Sequence, residues 1–537
     1  MSGPHAPPGV TVDGALRWDA EWRRRSWSEL AGHWDLIVVG GGIVGAGILG
    51  LAAQCGVRAL LLERHDFASG TSSRSSQLVH GGLRYLAGGQ IGLARSAVHE
   101  RDWLVTTAPG LVTTLDFLFP MYEGDRAKRL RYAAVLTAYD ALAGRRQRYG
   151  LSGPDFALLA PDVHPEHLIG GLRYQEASTD DARVVLRVLR EAVRRGGSAL
   201  NYAHVCALLR FKNDVVGVRV RDGVTGLEAE VQAAVVINAT GAWADALRAE
   251  VGSPTRMRPL RGSHLVFSSR RLPTSIGLNV AHPRDGRQIT VTPWQGATLV
   301  GTTDLDHGQG LDQGVTISDE EVDYLLQALA SPFRSLALSP DDIVSTWSGV
   351  RPTVSTGTAA APKERRSHVV WTEHGLLTVT GGKLTTFRLV ARDAIQTARH
   401  QVPALAHEGS STDVLGSAPI AHPDGPSARL AGRHGAEASA MLAESHPTEL
   451  QPLAGTPFTT SDLRWAAKYE GVLHLDDLML RRTRLGLVLP HGGAEVMPTV
   501  RTICEQELLW TDARWTAEQA AYTTLILHSH GVPKSHG

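Results

Sequence analysis

Cysteine is scarce in this chain. Cys55, Cys206 and Cys504 are the only three among 537 residues, and they lie far apart. They offer no metal-ligand spacing, and with an odd count a reducing compartment is the simpler expectation. Net charge is missing too: 54 basic residues balance 54 acidic ones. No global field therefore draws the chain to nucleic acid or to an anionic surface. No apolar signal-peptide core follows Met1, and no internal repeat is visible. One stretch without charge, from Leu36 to Val57, is long enough to nominate a membrane span. Glycines crowd it between Gly40 and Gly50, however, and a triple glycine behind four β-favouring residues reads as a strand turning into a helix. The expectation is a soluble, cytoplasmic α/β protein, too long for one simple core and built from two or three domains.

What is present is concentrated in residues 36–86. LIVVGGGIVGAG places G-x-G-x-x-G where a strand meets a helix. Gly40 permits the tight turn, Gly42 lets the backbone approach a pyrophosphate, and Gly45 lets helix and strand pack closely. The helix start offers unpaired N–H groups and the positive end of its dipole to phosphates. Glu63 ends a second apolar run about 18 residues beyond Gly45, the spacing of an acid that binds an adenosine ribose.

Further along, Ile91 to Thr106 reads as a helix, and residues 112–170 as an inserted cap. Asp180-Asp181 caps an amphipathic run, Ala182 to Arg195. HVCALLRF, VVGVRVRD and LEAEVQAAVVINATG form an antiparallel meander with turns at Asn213-Asp214 and Asp222-Gly223. It ends in an apolar strand, Ala234 to Ile237, and in small residues including Ala239 and Gly241 that admit a bulky cofactor. That order favours FAD over NAD, because FAD domains of the glutathione-reductase type carry this second strand and turn. LLTVTGGKLTTF, after a β-rich stretch over 255–358, supplies another glycine-to-helix turn. Gly382, Leu384 and Thr385 are expected there beside the flavin ring's carbonyl edge, although a plain strand–helix connection fits the same residues.

The expected organisation is an N-terminal extension (1–33) and a discontinuous FAD-binding domain (34–111, 171–254, 359–401). A cap and substrate domain (112–170, 255–358), a linker (402–426) and a helical C-terminal domain (427–537) complete it. Trp18, Trp22 and Trp27 flank Arg23-Arg24-Arg25, which suits either a membrane interface or a strand of tail on the domain surface. Charge in the C-terminal helices reads as a solvated face, with no catalytic constellation.

TSSRSSQLVHGGLRYL, YQEASTDDARVVL, RGSHLVF, LVGTTD, WSGVRP and GGKLTTFR follow one another in an order that resembles the FAD-dependent glycerol-3-phosphate dehydrogenases. The resemblance runs from Asp35 to Arg388 and continues, more weakly, into DDLMLRRTRLG. It implies oxidation of sn-glycerol 3-phosphate to dihydroxyacetone phosphate, with hydride passing from carbon 2 to flavin N5 and electrons going on to quinone. It also implies peripheral contact with the inner face of the plasma membrane and a homodimer. Thr71, Ser72 and Ser73 would contact the cofactor's diphosphate, and His80, Gly81 and Gly82 would run under the isoalloxazine ring. Arg84 and Tyr85 would point into the substrate pocket. His264 would sit near the carbon being oxidised, with Arg351, Arg366 and Lys383 completing a cationic cup. Gln77 and Arg261 stand where lysines are usual, and Ala-Gly-Gly follows GLRYL where an acid is usual.

Such an oxidation needs the substrate oriented and its hydroxyl proton accepted, while the flavin carries the redox work. His264 has an ordinary pKa suited to taking that proton near neutrality. Arg351 could instead polarise the hydroxyl and the developing ketone. A phosphate dianion needs several cations, which Arg84, Arg366 and Lys383 supply. Other readings stay open: an oxidase passing electrons to oxygen, an amine or amino-acid oxidase, or a non-catalytic FAD-bearing subunit.

Overall fold

The computed structural model describes residues 16–144, 148–308, 310–355, 367–406, 413–416 and 426–533. Trp34–Val39 is buried along nearly its whole length and reads as an unbroken apolar run because sheet and helices cover both its faces. It lies between Ala59–Leu62 and Glu228–Asn238, parallel to both. Ser198–Leu200 and Leu376–Thr380 extend the parallel array on either side, and Val369–Glu373 closes one edge antiparallel. The helix Ile43–Gln54 packs between Asp181–Arg194 and Phe387–Ala398.

Glu228–Asn238 does two jobs. Its first half is the last strand of the meander, paired antiparallel with Asp214–Asp222, and its second half is a parallel strand beside Trp34–Val39. Meander and apolar strand are thus one element.

A second sheet has ten strands. Its spine is Met257–Ser268 paired antiparallel with Ile343–Val354. Leu168–Thr179 pairs along its length with Val112–Tyr122 in this sheet. Residues 171–179, placed above with the FAD-binding domain, therefore belong to the other sheet, because a strand goes where its hydrogen-bond partner lies. One part of the sheet packs on the helix Asp319–Ala330. Another part, through Val266, Trp294, Leu299 and Trp347, shares a core with C-terminal Leu463, Leu475, Met479 and Leu485.

Of the two placements open to the N-terminal tryptophans, the segment takes the one packed on the protein: Trp18 and Trp22 are buried, and Ala20–Ser28 is a helix. The Trp18 backbone is hydrogen-bonded to Tyr469 and Gly471, and Arg23 is ion-paired with Asp222. Residues 1–15 lie outside the described set. Within the linker stretch, Val414 and Leu415 are fully buried in the main core, with Val414 against Gly50. The C-terminal domain is helical as expected, but Arg433, Glu470, Asp477, Arg481, Arg482 and Arg484 are buried rather than solvated.

Candidate active site

The ends of the parallel strands open onto a cleft of about 390 Å³. Gly40 and Gly42 line it from the first glycine turn, Glu63 from the second strand, and Thr71 and Ser72 from the following loop. Ala239, Gly241, Gly382, Lys383 and Leu384 line it from the two later turns. The local geometry explains the glycines. A Cβ on Gly40, whose φ is +115°, would stand 2.6 Å from the Ala239 carbonyl oxygen, and one on Gly45 would stand 2.0 Å from the Gly40 oxygen. Strand end, helix and neighbouring turn can converge only without side chains there. Gly45 is thus a packing residue and does not line the cleft.

Glu63 is held at the strand end by the N–H groups of Gly41 (2.7 Å) and His65 (2.8 Å), and burial pushes its carboxyl upward. The Ser72 hydroxyl accepts from the Ile43 N–H at 3.0 Å, joining the loop to the first turn of the glycine-motif helix. Ser73 is buried just behind. Thr380, at the end of its strand, donates to the Gly241 carbonyl at 3.0 Å and ties the second turn to the third. Thr385 is buried in the short helix that follows Lys383.

The geometry fits an extended dinucleotide. One acid stands at one end, a helix start without a side-chain cap lies in the middle, and a glycine pair with positive φ at Gly381 and Gly382 sits at the other end. Beside this, His80, Gly81 and Gly82 connect Leu78–Val79 to the helix Leu83–Ala87. The Gly81 N–H donates to Glu176 at 2.8 Å, and a Cβ there would collide with the Tyr139 hydroxyl. Burial pushes the Glu176 carboxyl upward. The ammonium of Lys383 lies 4.1 Å from the centre of the Tyr85 ring, so these two predicted substrate residues are brought together. The Arg84 side chain and all of Arg366 lie outside the described residues.

His264 and Arg351 come from the paired spine strands of the second sheet. His264 is buried, stacked on Trp347, with Nε2 at 2.9 Å from the Ser76 hydroxyl and Nδ1 without a hydrogen-bond partner. Burial, with the nearby Arg351 charge, pushes its pKa down to about 3. The ordinary pKa expected above is therefore corrected: His264 is neutral across the physiological range. Arg351 donates to Asp304 at 3.0 Å and to the Thr302 hydroxyl at 3.3 Å. Asp304 is also 3.6 Å from the Arg287 guanidinium.

Ser75, Ser76, Asp181 and Asp304 are site residues that sequence reading missed. The serines stand inside a quoted motif, and Asp304 ends LVGTTD. Asp181 was read only as a helix-start acid, whereas it lines the cleft and the capping bond is made by Asp180. Among the described residues no His, Cys, Asp and Glu cluster suits a metal ion.

Residues 35–388 match the family described as FAD dependent oxidoreductase, and residues 404–515 match the C-terminal domain of alpha-glycerophosphate oxidase. Glycerol-3-phosphate dehydrogenase 2 of Mycobacterium tuberculosis is 34% identical over 98% of this chain and 94% of its own length. The aerobic glycerol-3-phosphate dehydrogenase of Bacillus subtilis is 36% identical over 69% of this chain and 67% of its own. The FAD-complexed glycerol-3-phosphate dehydrogenase of Bacillus halodurans superposes with a TM-score of 0.77 at 28% identity, covering 95% of this chain and 98% of that one. Sequence, fold and cleft agree, and the chain belongs to the FAD-dependent glycerol-3-phosphate dehydrogenase family.

Proposed function

We propose that the protein oxidises sn-glycerol 3-phosphate to dihydroxyacetone phosphate and passes the electrons to a quinone. The carrying observation is that His264 and Arg351 stand on paired strands of one sheet, the Arg351 guanidinium lying over Gly262, two residues from His264. A proton acceptor and a polarising cation are thereby set side by side, as removal of hydrogen from a secondary alcohol requires. FAD, when bound, supplies the two-electron acceptor for the hydride leaving carbon 2.

The chain's own residues do the rest. Neutral His264, hydrogen-bonded through Nε2 to the half-buried Ser76 hydroxyl, is the proton acceptor in this reading. Arg351, oriented by Asp304, steadies the oxygen as its charge develops. Lys383 with Tyr85, joined in this reading by Arg84 and Arg366, receives the phosphate. Thr71, Ser72 and Ser73 would hold the cofactor's diphosphate, and His80, Gly81 and Gly82 would contact its ring.

Quinone access calls for peripheral membrane contact and not a span: no helix among the described residues is long and apolar enough to cross a membrane. With Trp18 and Trp22 buried, the surface where the cap meets the FAD-binding domain is the better support. Ile91 (60% exposed) and Leu130 (74%) stand on two helices that pack together. The reading includes a homodimer on the inner face of the plasma membrane, checked by light scattering and by sedimentation with vesicles.

Anaerobic mixing tests the chemistry. Glycerol 3-phosphate should bleach the flavin within the turnover time and glycerol should leave it oxidised; bleaching by both equally rejects the phosphate cup. Stopped-flow reoxidation tests the acceptor. A soluble quinone analogue should outpace air and NAD should be inert, whereas stoichiometric peroxide formed at the turnover rate makes the protein an oxidase.

A further inference from the structure

We infer that the C-terminal domain is a working part of the cofactor site, with Arg484 as a positioning residue that holds the Thr71–Ser76 loop in shape through Asp181. The inference rests on the proposed contact of Thr71, Ser72 and Ser73 with the FAD diphosphate. Among the described residues none beyond Leu384 lines the cleft, so the domain acts from behind it.

Arg484 is fully buried. It donates to the Ser73 carbonyl at 3.2 Å, to Leu480 at 2.8 Å and to Asp180 at 2.9 Å, and is ion-paired with Asp181. The other Asp181 oxygen accepts from the Ser75 N–H at 2.9 Å. Trp347 donates to the Ser75 carbonyl at 3.2 Å, and the Gln77 side chain accepts from the Asp181 N–H at 3.1 Å. The loop's backbone is thus fastened by Arg484 and Trp347, which do not line the cleft, and by Asp181, which does, while Thr71 and Ser72 line it.

Electrostatics gives the arrangement a second role. Asp181 lines a cleft proposed to take two phosphates, and an uncompensated carboxylate there repels them. Arg484 cancels that charge at contact distance. Among the influences on the Asp181 carboxyl, Arg484 opposes burial most strongly. Without it the carboxyl either stays charged and repels phosphate, or takes up a proton and loses its grip on Ser75. A planar guanidinium reaches two carboxylates and a carbonyl at once, which an ammonium does not.

The test uses full-length apoprotein and two probes, ADP and adenosine, which share the Glu63 end and differ in the diphosphate. Arg484→Gln should weaken ADP and FAD binding about tenfold or more, leaving adenosine unchanged. Adding Asp181→Asn should recover part of the loss, because the uncompensated charge is gone. Arg484→Lys keeps the charge and should stay folded; about three- to tenfold weaker ADP binding is expected. If Arg484→Gln does not fold, the lysine variant decides alone. Unchanged ADP affinity in a folded Arg484→Lys protein, or equal losses for ADP and adenosine, overturns the positioning role. Ser72→Ala separates the two readings: if it leaves ADP affinity untouched, the diphosphate contact itself is wrong.

Discussion

The arginines of the C-terminal domain and those of the second sheet differ in what surrounds them. Arg482 donates to both oxygens of Asp66, at 2.6 and 2.8 Å, and neither side chain reaches water. Arg481 adds Asp476 and Asp477 to the same group, and Arg183 and Arg433 pair with Glu470 and Asp180. Arg351 keeps 24% of its side chain exposed and shares Asp304 with Arg287. In the first region charge is matched, dry and used to join domains. In the second, two guanidiniums face one buried carboxylate and stay partly exposed to water. Desolvation makes the dry pairs modest in net stability, while removal of one partner strands a buried charge. Arginine count therefore says little about a region; the surrounding carboxylates and water decide.

Breaking the dry region should give the largest effect. Arg482→Met removes one of the two arginines that hold the Asp66 carboxyl well below the usual range and leaves that buried charge to Arg481. A loss of about 3–5 kcal/mol is expected in denaturant unfolding of the holoprotein. A value near zero would show that water enters this network.

Arg351→Lys should cost less in stability and far more in catalysis. The expected fall in kcat/KM for glycerol 3-phosphate is about ten- to a hundredfold, from about 1.5–3 kcal/mol of lost charge-assisted bonding, with the melting temperature unchanged. A drop in melting without a drop in kcat/KM would move Arg351 into the structural class.

Acid sharpens the contrast further. Burial pushes His264 and His530 each down to about 3, against an ordinary value near 6.5. Between those values the unfolded chain binds protons that the folded chain refuses. The stability these groups contribute is complete above about pH 6.5 and is lost as pH falls towards 3. His530→Gln, at a ring 2.9 Å from the Thr346 carbonyl, should flatten the melting-temperature profile between pH 4 and 6.5. An unchanged slope would show that His530 is protonated in the folded protein. The smallest effect is reserved for an exposed pair: Arg219→Ala, which loses its bond to Glu230, should leave thermal unfolding unchanged within error.

Local constraint explains how much was legible in advance. The glycine turns, Glu63 at its strand end, the helix over Ile91–Thr107 and the meander turns all depend on residues close in sequence, and the folded chain carries them as expected. The N-terminal tryptophans left two placements open because an amphiphilic segment fits a lipid surface and a protein groove equally well. Trp18 finds its groove at Tyr469 and Gly471, at the other end of the chain. The Asp180-Asp181 pair was read for the helix it starts; its meeting with Arg484 and Ser75 has no signature along the chain.

By itself the sequence determined the backbone grammar of the cofactor cleft. Where a Cβ cannot fit, as at Gly40 and Gly45, the requirement is steric and travels with a few neighbouring residues. Only the tertiary structure decided which charges are buried, which acid faces the cleft, and how far His264 is pushed from neutrality. Those properties depend on desolvation and on partners hundreds of residues away, as Arg484 is from Asp181. Solvent exclusion is created by packing the domains together, and no local run of residues encodes it.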